Sequence, residues 1–265
     1  MGQTEIMYDI NSIVIAVLLL VAMGAAMRLG RVVGKRGAGH HTDESKSQIS
    51  AVQGSLLGML ALLLGFTFSL ALSRFDDRSR AVVDEANAIG TVWLRTDLLS
   101  EQRRGEAKSL LSRYGLTRFE AGRVPASELE RRDGLVLAAE EIFAKIWDIA
   151  GAEVQDVGGP AAVSFATSLN DMIDSLGARD AAIKRHVPEP VLFLMFATFV
   201  LLGCILGYSS GLTSVKAGFP IYAMMFLIVA LVFVIIDLDR PRRGIISVDQ
   251  DPLRVVSESM IRAVN

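Results

Sequence analysis

Residues 47–73 read SQISAVQGSLLGMLALLLGFTFSLALS, a stretch without a single charged side chain. An α-helix rises about 1.5 Å per residue and the hydrocarbon core of a bilayer is about 30 Å thick, so about 20 apolar residues can cross a membrane. Three further charge-free blocks occupy Ile10–Met27, Pro190–Val215 and Ala217–Ile236. The four blocks together predict four transmembrane helices.

The charged residues concentrate between the second and third blocks. Their apolar neighbours recur at helical spacing and show no strand-like alternation, which predicts helices rather than a sheet. We therefore expect an all-α, polytopic membrane protein with four transmembrane helices and a helical-bundle domain inserted between the second and third. The expected parts are a first hairpin at 1–73, the soluble α-helical bundle at 74–189, a second hairpin at 190–236 and a tail with a short amphipathic helix at 237–265.

Several residues indicate where helices begin and end. No proline or glycine occurs between the end of the second block and Gly90, so the helix of this block is expected to continue into the charged segment. Ser100 is a residue type that caps helix N-termini, and Ser127 with Glu130 has capping-box spacing. The pair Gly158-Gly159, followed by a proline, predicts the start of a helix, and the prolines at 188 and 190 predict its end.

Composition limits the class of protein. Hydrophobic residues make up 51% of the chain and charged residues 21%, and the charge is segregated from the apolar blocks. The formal net charge of −2 lacks the basic excess that binding a phosphate backbone requires, so no nucleic-acid partner is expected. The single cysteine, Cys204, can form no internal disulfide, and in an apolar span it is expected to be an inert small hydrophobe.

The first block has to be weighed against a cleavable signal peptide. Before it the chain carries Glu5 and Asp9 but no lysine or arginine, whereas a signal peptide has a positive segment there. We therefore expect a retained membrane anchor.

Small residues recur on two of the predicted spans. Such residues let helix backbones approach closely in a membrane, but a face of small residues on the second span can also be the wall of a pore. Packing is the favoured interpretation on both spans, and we expect these seams to help hold a symmetric homo-oligomer together. On the second span the residues are Gly54, Gly58, Ala61, Gly65 and Ser69, and on the third they are Gly203, Gly207 and Gly211.

The second span also carries two aromatic residues near its C-terminal end, in Gly65-Phe66-Thr67-Phe68-Ser69. Core packing is the usual role of such phenylalanines. Bulky apolar side chains on a pore-facing helix can instead gate ion flow, because a narrow apolar tube loses its water. The two rings are two residues apart and diverge by about half a turn, so only one of them can point fully at a pore axis.

Three motifs carry a family resemblance. Residues 81–90 read AVVDEANAIG. Residues 169–171 read LND and are followed later in the chain by Arg179, His186 and Pro188. Residues 237–241 read DLDRP and are followed by Gly244. These motifs resemble the bestrophin-like domain family of bacterial membrane proteins, which is distantly similar to bestrophin anion channels. The similarity runs over nearly the whole chain.

The resemblance implies a function and a topology. It implies a homo-oligomeric ion channel, for which a pentamer is the candidate assembly, with anions preferred among small ions. It implies that the second span lines the pore, that Phe66 or Phe68 matches a hydrophobic neck, and that the soluble domain and both termini lie in the cytoplasm of a bacterium, at its inner membrane. No acidic cluster resembles the calcium clasp of animal bestrophins, so calcium gating is not expected.

Polar residues in the resembling motifs have two interpretations. Asp84 and Asn87 share one helix side, and with Asn170 and Arg179 they can form either a buried polar network or an active site. We favour the structural network, because buried polar groups usually pair with one another.

Two other clusters contain residue types that bind metals. Asp237 and Asp239 could share an ion, but Arg240 and the arginines at 242 and 243 offer a simpler partner, and charge-assisted pairing is expected there. His40-His41 lies beside Asp43 and Glu44 in a glycine-rich loop, where we expect no metal. We predict no cofactor.

No Ser-His-Asp set, P-loop or zinc signature occurs, so we expect no enzyme. Lysines and arginines crowd both ends of the spans, so charge alone does not decide the orientation in the membrane. The function expected is an ion channel, and the alternative is a non-conducting scaffold or regulator whose helical domain binds a protein partner.

Overall fold

The computed structural model describes residues 10–37, 43–125, 128–213, 218–240 and 244–264. Within these ranges the chain forms eight α-helices and a short 3₁₀ helix at Thr96–Leu98, and it contains no β-strand. The all-α prediction is confirmed for this part of the chain. In chain order the helices are α1 Ser12–Gly37, α2 Asp43–Arg95, α3 Glu101–Arg123, α4 Leu129–Asp156, α5 Gly159–Lys184, α6 Glu189–Leu212, α7 Phe219–Asp239 and α8 Asp251–Val264.

Four helical segments are long and apolar enough to cross a membrane, and each overlaps one charge-free block of the sequence. The predicted set of four long apolar helices is therefore confirmed, and the chain is a multi-pass membrane protein. The segments are Ser12–Arg36, Ser47–Leu98, Gly159–Leu212 and Phe219–Asp239. Residues 5 and 9, on which the retained-anchor prediction rests, lie outside the described residues.

Contacts divide the chain into two compact units. Unit 1 consists of Met1–Arg74 and His186–Ile246, and unit 2 consists of Phe75–Arg185 and Ser247–Asn265. Unit 2 therefore combines a segment that lies between the second and third spans with a segment that follows the fourth span. It is not a simple insertion between the second and third spans. The predicted tail at 237–265 is divided between the two units.

In unit 1, helix α1 packs along α6 and also contacts α7. Glycines of α6 lie against successive turns of α1: Gly203 against Met23, Gly207 against Met27 and Gly211 against Arg31. Along this contact the residue numbers of α6 and of α1 increase in the same direction, so the two helices run parallel. A Cβ atom added at Gly203 would lie 2.7 Å from the Met23 carbonyl oxygen, and one added at Gly207 would overlap the Met27 carbonyl.

Helix α1 contributes its own glycines to the same seam. A Cβ atom at Gly30 would overlap the carbonyl oxygen of Cys204, and one at Gly34 would overlap that of Tyr208. The two backbones are in direct contact because each helix lacks side chains where the other passes. This seam lies inside one chain, so an interface between copies has to use residues other than Gly203, Gly207 and Gly211.

In unit 2, helix α3 packs against α4 and α8, and α4 also packs against α5. The core is apolar and includes fully buried residues from four helices: Ile89 of α2, Leu111 of α3, Phe165 of α5 and Met260 of α8. Gly115 lets α8 approach α3, since a Cβ atom there would lie 2.5 Å from the Met260 side chain. The C-terminal helix is thus part of this core.

The helix boundaries follow the sequence signals closely. Helix α2 continues through Gly90 as predicted. Gly158 and Gly159 both have positive φ, 67° and 81°, and a proline follows in the first turn of α5. Ser100 does precede α3, but its side chain makes no capping hydrogen bond. The predicted capping-box residue Ser127 lies outside the described residues, and α4 begins at Leu129.

Glu153 of α4 replaces the expected serine cap. Its carboxylate accepts hydrogen bonds from the backbone N–H and the hydroxyl of Ser100, both at 2.8 Å, and from Arg103 at 2.9 Å. A carboxylate at a helix N-terminus is favourable because the free N–H groups give that end a partial positive charge.

A positive side chain lies at the C-terminal end of α5. Buried Arg78 donates hydrogen bonds to the carbonyls of Ala182 and Arg185 there, at 3.3 and 2.9 Å.

Candidate functional site

The charge-free part of α2 buries only a narrow stripe. Leu60, Leu64, Thr67 and Ala71 are at most 8% exposed and share one helix face. The Thr67 hydroxyl donates to the carbonyl of Leu63 at 2.7 Å, so it needs no other partner. Only 22% of the most apolar window of this span is buried, against 39% for α1. Most of this helix therefore faces away from its own chain.

The predicted small residues form a second face of α2. Gly54, Gly58, Ala61, Gly65 and Ser69 are all exposed. A Cβ atom added at any of the three glycines would meet nothing within 4 Å. At about 100° per residue this small-residue face lies about 130° round the helix from the buried stripe. The described residues leave room for another helix to approach here.

Large apolar side chains form the third face. Met59, Leu62 and Phe66 are 59%, 61% and 66% exposed. This bulky face lies about 90° from the small-residue face and about 140° from the buried stripe. The three faces of α2 thus differ in both chemistry and burial.

The two phenylalanines of the predicted constriction belong to different faces. Phe66 belongs to the bulky face, whereas Phe68 is half-buried and lies between the small-residue face and the buried stripe. Gly65 and Ser69, the ends of the predicted constriction, are both exposed. Of the two rings, the structure presents Phe66 outward.

Unit 2 contains a cluster of buried charge. Glu85 of α2 is fully buried and accepts a hydrogen bond from Arg118 of α3 at 2.6 Å and another from Arg179 of α5. Burial alone would lower the pKa of Arg118, but the neighbouring Glu85 carboxylate outweighs it and raises that pKa. Tyr114 lies nearby with its hydroxyl buried and unpaired in the described part of the chain, and burial raises its pKa.

Arg179 also connects this cluster to the C-terminal segment. Its second guanidinium nitrogen donates to the side-chain oxygen of Gln250 at 2.7 Å. Gly122 leaves the space for this contact, because a Cβ atom there would lie 2.8 Å from the Arg179 guanidinium. One arginine therefore contacts α2 and the residue just before α8.

The structure separates the residues of the polar network predicted from the sequence. Arg179 is 3% exposed and paired, but Asp84, Asn87 and Asn170 are all exposed in the chain. The buried acid is Glu85, one residue further along the helix. A change of one residue rotates a side chain by about 100°, which is enough to exchange a solvent-facing position for a core position.

The sequence offered two signals for the residues that were missed. Glu85 keeps the spacing of the apolar stripe that contains Val82 and Ile89, and Arg118 keeps that of Leu111 and Tyr114. A charged residue in register with buried positions needs an opposite charge, because an isolated buried charge is very costly. Gly30 and Gly34, which the sequence analysis also missed, have the four-residue spacing of a packing motif.

The aspartates in the last turn of α7 are buried and bind backbone groups. Asp237 accepts a hydrogen bond from the backbone N–H of Ile246 at 2.8 Å, and a Cβ atom at Gly244 would collide with its carboxylate. Asp239 accepts from the backbone N–H of Val187 with both oxygens, at 3.0 Å. Both carboxylates thus fix neighbouring chain segments of unit 1.

Arg240 is also buried, at 3% exposure. It donates to the carbonyl of Ile10 and, at 3.2 Å, to the hydroxyl of Ser12. The arginines at 242 and 243, the other predicted partners of the aspartates, lie outside the described residues. So do His40 and His41 and the side chains of Asp43 and Glu44. Among the residues with described positions, no three His, Cys, Asp or Glu side chains are grouped to hold a metal.

The sequence profile described as "Bestrophin-like domain" matches residues 16–253. The chain belongs to the bestrophin-like domain family. The match covers most of the first span, all of the other three and most of unit 2, so family membership concerns the whole architecture and not one motif. No curated protein matches the sequence.

Solved structures show the same fold for this bestrophin-like chain. A bacterial bestrophin homolog from Klebsiella pneumoniae, phased by Zn-SAD, aligns with a TM-score of 0.61 and 17% identity over 95% of this chain and 97% of that one. A point variant of a bacterial bestrophin homolog from the same organism aligns with a TM-score of 0.62 and 16% identity over 94% and 97%. At this identity the likeness concerns the fold alone.

Proposed function

We propose that this bestrophin-like protein forms a homo-oligomeric pore for small ions in a bacterial inner membrane, with α2 lining the pore and anions preferred. Family membership supports this proposal, because the family is distantly similar to bestrophin anion channels. The preference for anions and the pentameric assembly rest on that similarity. The proposed role is transport and not enzymatic catalysis, and it includes no cofactor.

The observation that carries the proposal is the threefold division of α2. A helix that lines an axis in a ring of copies needs one face for its own chain, one for the neighbouring copy and one for the axis. In the charge-free part of α2, only the stripe containing Leu60 and Leu64 is buried against the described residues of the single chain. The small-residue face suits close contact with a neighbouring helix, and the bulky face suits the axis.

The same division makes Phe66 the preferred constriction residue. Leu62 and Phe66 are four residues apart on the bulky face, so copies of both would form successive apolar rings around an axis. A narrow apolar ring resists hydration, and ions meet a barrier there. Phe68 would instead lie near the contact between copies.

Planar-bilayer recording of the purified protein tests this proposal. Phe66→Ala should raise conductance or open probability, since a smaller side chain lowers the dewetting barrier. Phe68→Ala is the matched control, because it removes the same ring two residues away, and it should change stability more than current. Replacing chloride by a large organic anion should reduce the current if anions carry it.

Two results would contradict the channel. If the wild type and both variants stay folded and oligomeric but carry no current, the non-conducting scaffold that binds a protein partner becomes the better function. If Phe68→Ala alone raises the current, the small-residue side of α2 faces the axis, and the assignment of the faces is wrong.

We also propose that unit 2 and both termini lie in the cytoplasm. The family resemblance supports this orientation, whereas the charge distribution is ambiguous. Reporters that are active in only one compartment would be fused to each terminus in turn. At both termini we expect activity from a reporter that works in the cytoplasm and none from one that works in the periplasm. Periplasmic signal from either fusion would overturn the orientation without affecting the pore.

A further inference from the structure

A groove of about 590 Å³ lies on the surface of unit 1, between α1 and α7. On α1 its lining includes Val21, Gly24, Ala25 and Arg28 and ends at Leu29, and on α7 it includes Tyr222. Its volume is within the range of about 300–1,000 Å³ that is typical of small-molecule sites. It is separate from the three faces of α2.

The shape of the groove follows from the small residues on α1. A Cβ atom added at Gly24 would meet nothing within 4 Å, so this position leaves open space. Val21 beside it is 62% exposed. Both helices are membrane spans, so the medium that meets this apolar groove is lipid hydrocarbon.

The polar end of the groove coincides with the end of the apolar block. Residues Ile10–Met27 carry no charge, and Arg28 is the first charged residue after them. Arg28 is exposed and makes no ion pair with a described residue. Tyr222, 55% exposed, brings a phenol to the same groove. Arginine and tyrosine side chains at this position lie at the depth of lipid headgroups.

We propose that the groove binds one anionic phospholipid, with an acyl chain along Gly24 and Ala25 and its phosphate held by Arg28 and Tyr222. A guanidinium group forms paired hydrogen bonds with phosphate oxygens, and a phenol adds a third donor. Charge favours a lipid with a net negative headgroup, because Arg31, Lys35 and Arg36 follow on the same helix and would repel the amine of a zwitterionic one.

Native mass spectrometry of the full-length protein in mild detergent tests this proposal. We would add phosphatidylglycerol or phosphatidylcholine and measure the bound lipid per chain. Phosphatidylglycerol should bind in preference, and Arg28→Gln should weaken its binding about tenfold, as expected for the loss of a hydrogen bond to a charged group. Arg36→Gln is the matched control, because it removes an exposed charge of the same helix end that does not line the groove.

Equal weakening by both arginine variants would overturn the proposal, since it would mean general attraction to a basic surface. A second variant, Gly24→Leu, fills the groove at a position with free space and should keep the fold while displacing the lipid. If Gly24→Leu leaves binding unchanged, the acyl chain lies elsewhere and the proposal fails. If it changes the oligomeric state instead, a second copy of the chain occupies the groove, and the lipid assignment is wrong.

Discussion

Neighbouring carboxylates can have opposite roles in this protein. Asp84 is exposed, whereas Glu85 is fully buried between two guanidinium groups. Both occur in the motif that resembles the family, but the network predicted from the sequence includes Asp84 and not Glu85. The deciding property is position on the helix: Glu85 keeps the spacing of the buried stripe and Asp84 does not.

Removing the Glu85 carboxylate should strongly destabilise unit 2. Glu85→Ala leaves two buried arginines without their counter-charge, and breaking a buried pair in this way costs about 3–5 kcal/mol. Chemical unfolding followed by tryptophan fluorescence measures the loss, because both tryptophans, Trp93 and Trp147, belong to this unit. Asn170→Ala is the control, since an exposed substitution changes the unfolding free energy by about 0.5 kcal/mol at most. A larger effect from Asn170 than from Glu85 would restore the network predicted from the sequence.

Glu153 should make stability depend on acid pH. Burial raises the pKa of this carboxyl, but hydrogen bonds from the backbone and side chain of Ser100 and from Arg103 outweigh it, so its pKa lies below the usual 4.5. Its stabilisation is therefore complete above about pH 4.5 and is lost as the pH falls through the lower, folded-state pKa. As the pH falls below about 4.5, the wild-type melting temperature should fall more steeply than that of Glu153→Gln.

Exposed Glu140 on the same helix provides the control for this titration. Glu140→Gln should keep the pH dependence of the wild type. If Glu153→Gln also keeps it, the capping carboxylate does not contribute to acid stability.

At the scale of helices, much of the protein could be predicted from the sequence. The spans follow from the length of the charge-free blocks, and the start of α5 follows from Gly158, Gly159 and the proline behind them. The continuity of α2, about 80 Å long at 1.5 Å per residue, follows from the absence of proline. These features depend on neighbouring residues alone, so no knowledge of packing was needed.

The glycine seam between α1 and α6 should be intolerant of even one methyl group. Gly207→Ala places a Cβ atom on the Met27 carbonyl, so the helices must separate, and overpacking of this kind costs about 1–3 kcal/mol. Gly24→Ala is the matched control, because its Cβ atom enters open space and alanine favours a helix over glycine by about 0.5–1 kcal/mol. Fluorescence-detected thermal unfolding in detergent should show a lower midpoint for Gly207→Ala only. Equal midpoints would mean that the seam can separate freely.

Contacts between distant chain segments could not be predicted. Glu85 meets Arg118 and Arg179 across 33 and 94 residues, and Arg179 meets Gln250 across 71. Helical periodicity shows that a charged residue is in the core, but it does not show which partner will be there. The same reason explains why the α6 glycines were assigned to contacts between copies, although they pack against α1 of their own chain.

At the scale of the assembly, the small-residue face of α2 should control association. Gly58→Leu adds a large side chain where the single chain has open space, so the chain should fold while the copies separate. Light scattering in mild detergent should then report a smaller particle than the wild type. Met59→Leu is the control, because Met59 is an exposed neighbour of Gly58 and leucine has a volume similar to that of methionine. This variant should assemble normally. A wild type that is monomeric across mild detergents, or a fully assembled Gly58→Leu, would contradict the oligomer.

The discontinuity of unit 2 has a consequence during synthesis. The ribosome completes Phe75–Arg185 first, but this core also needs Leu253 and Met260 of α8, both fully buried. At about 5–20 residues per second, synthesis of residues 186–265 takes roughly 4–16 s. Throughout that interval Met260 is not yet in place beside Gly115, while the last two spans must enter the bilayer. The core of unit 2 therefore stays incomplete for a period during synthesis, and the final helix ends that period.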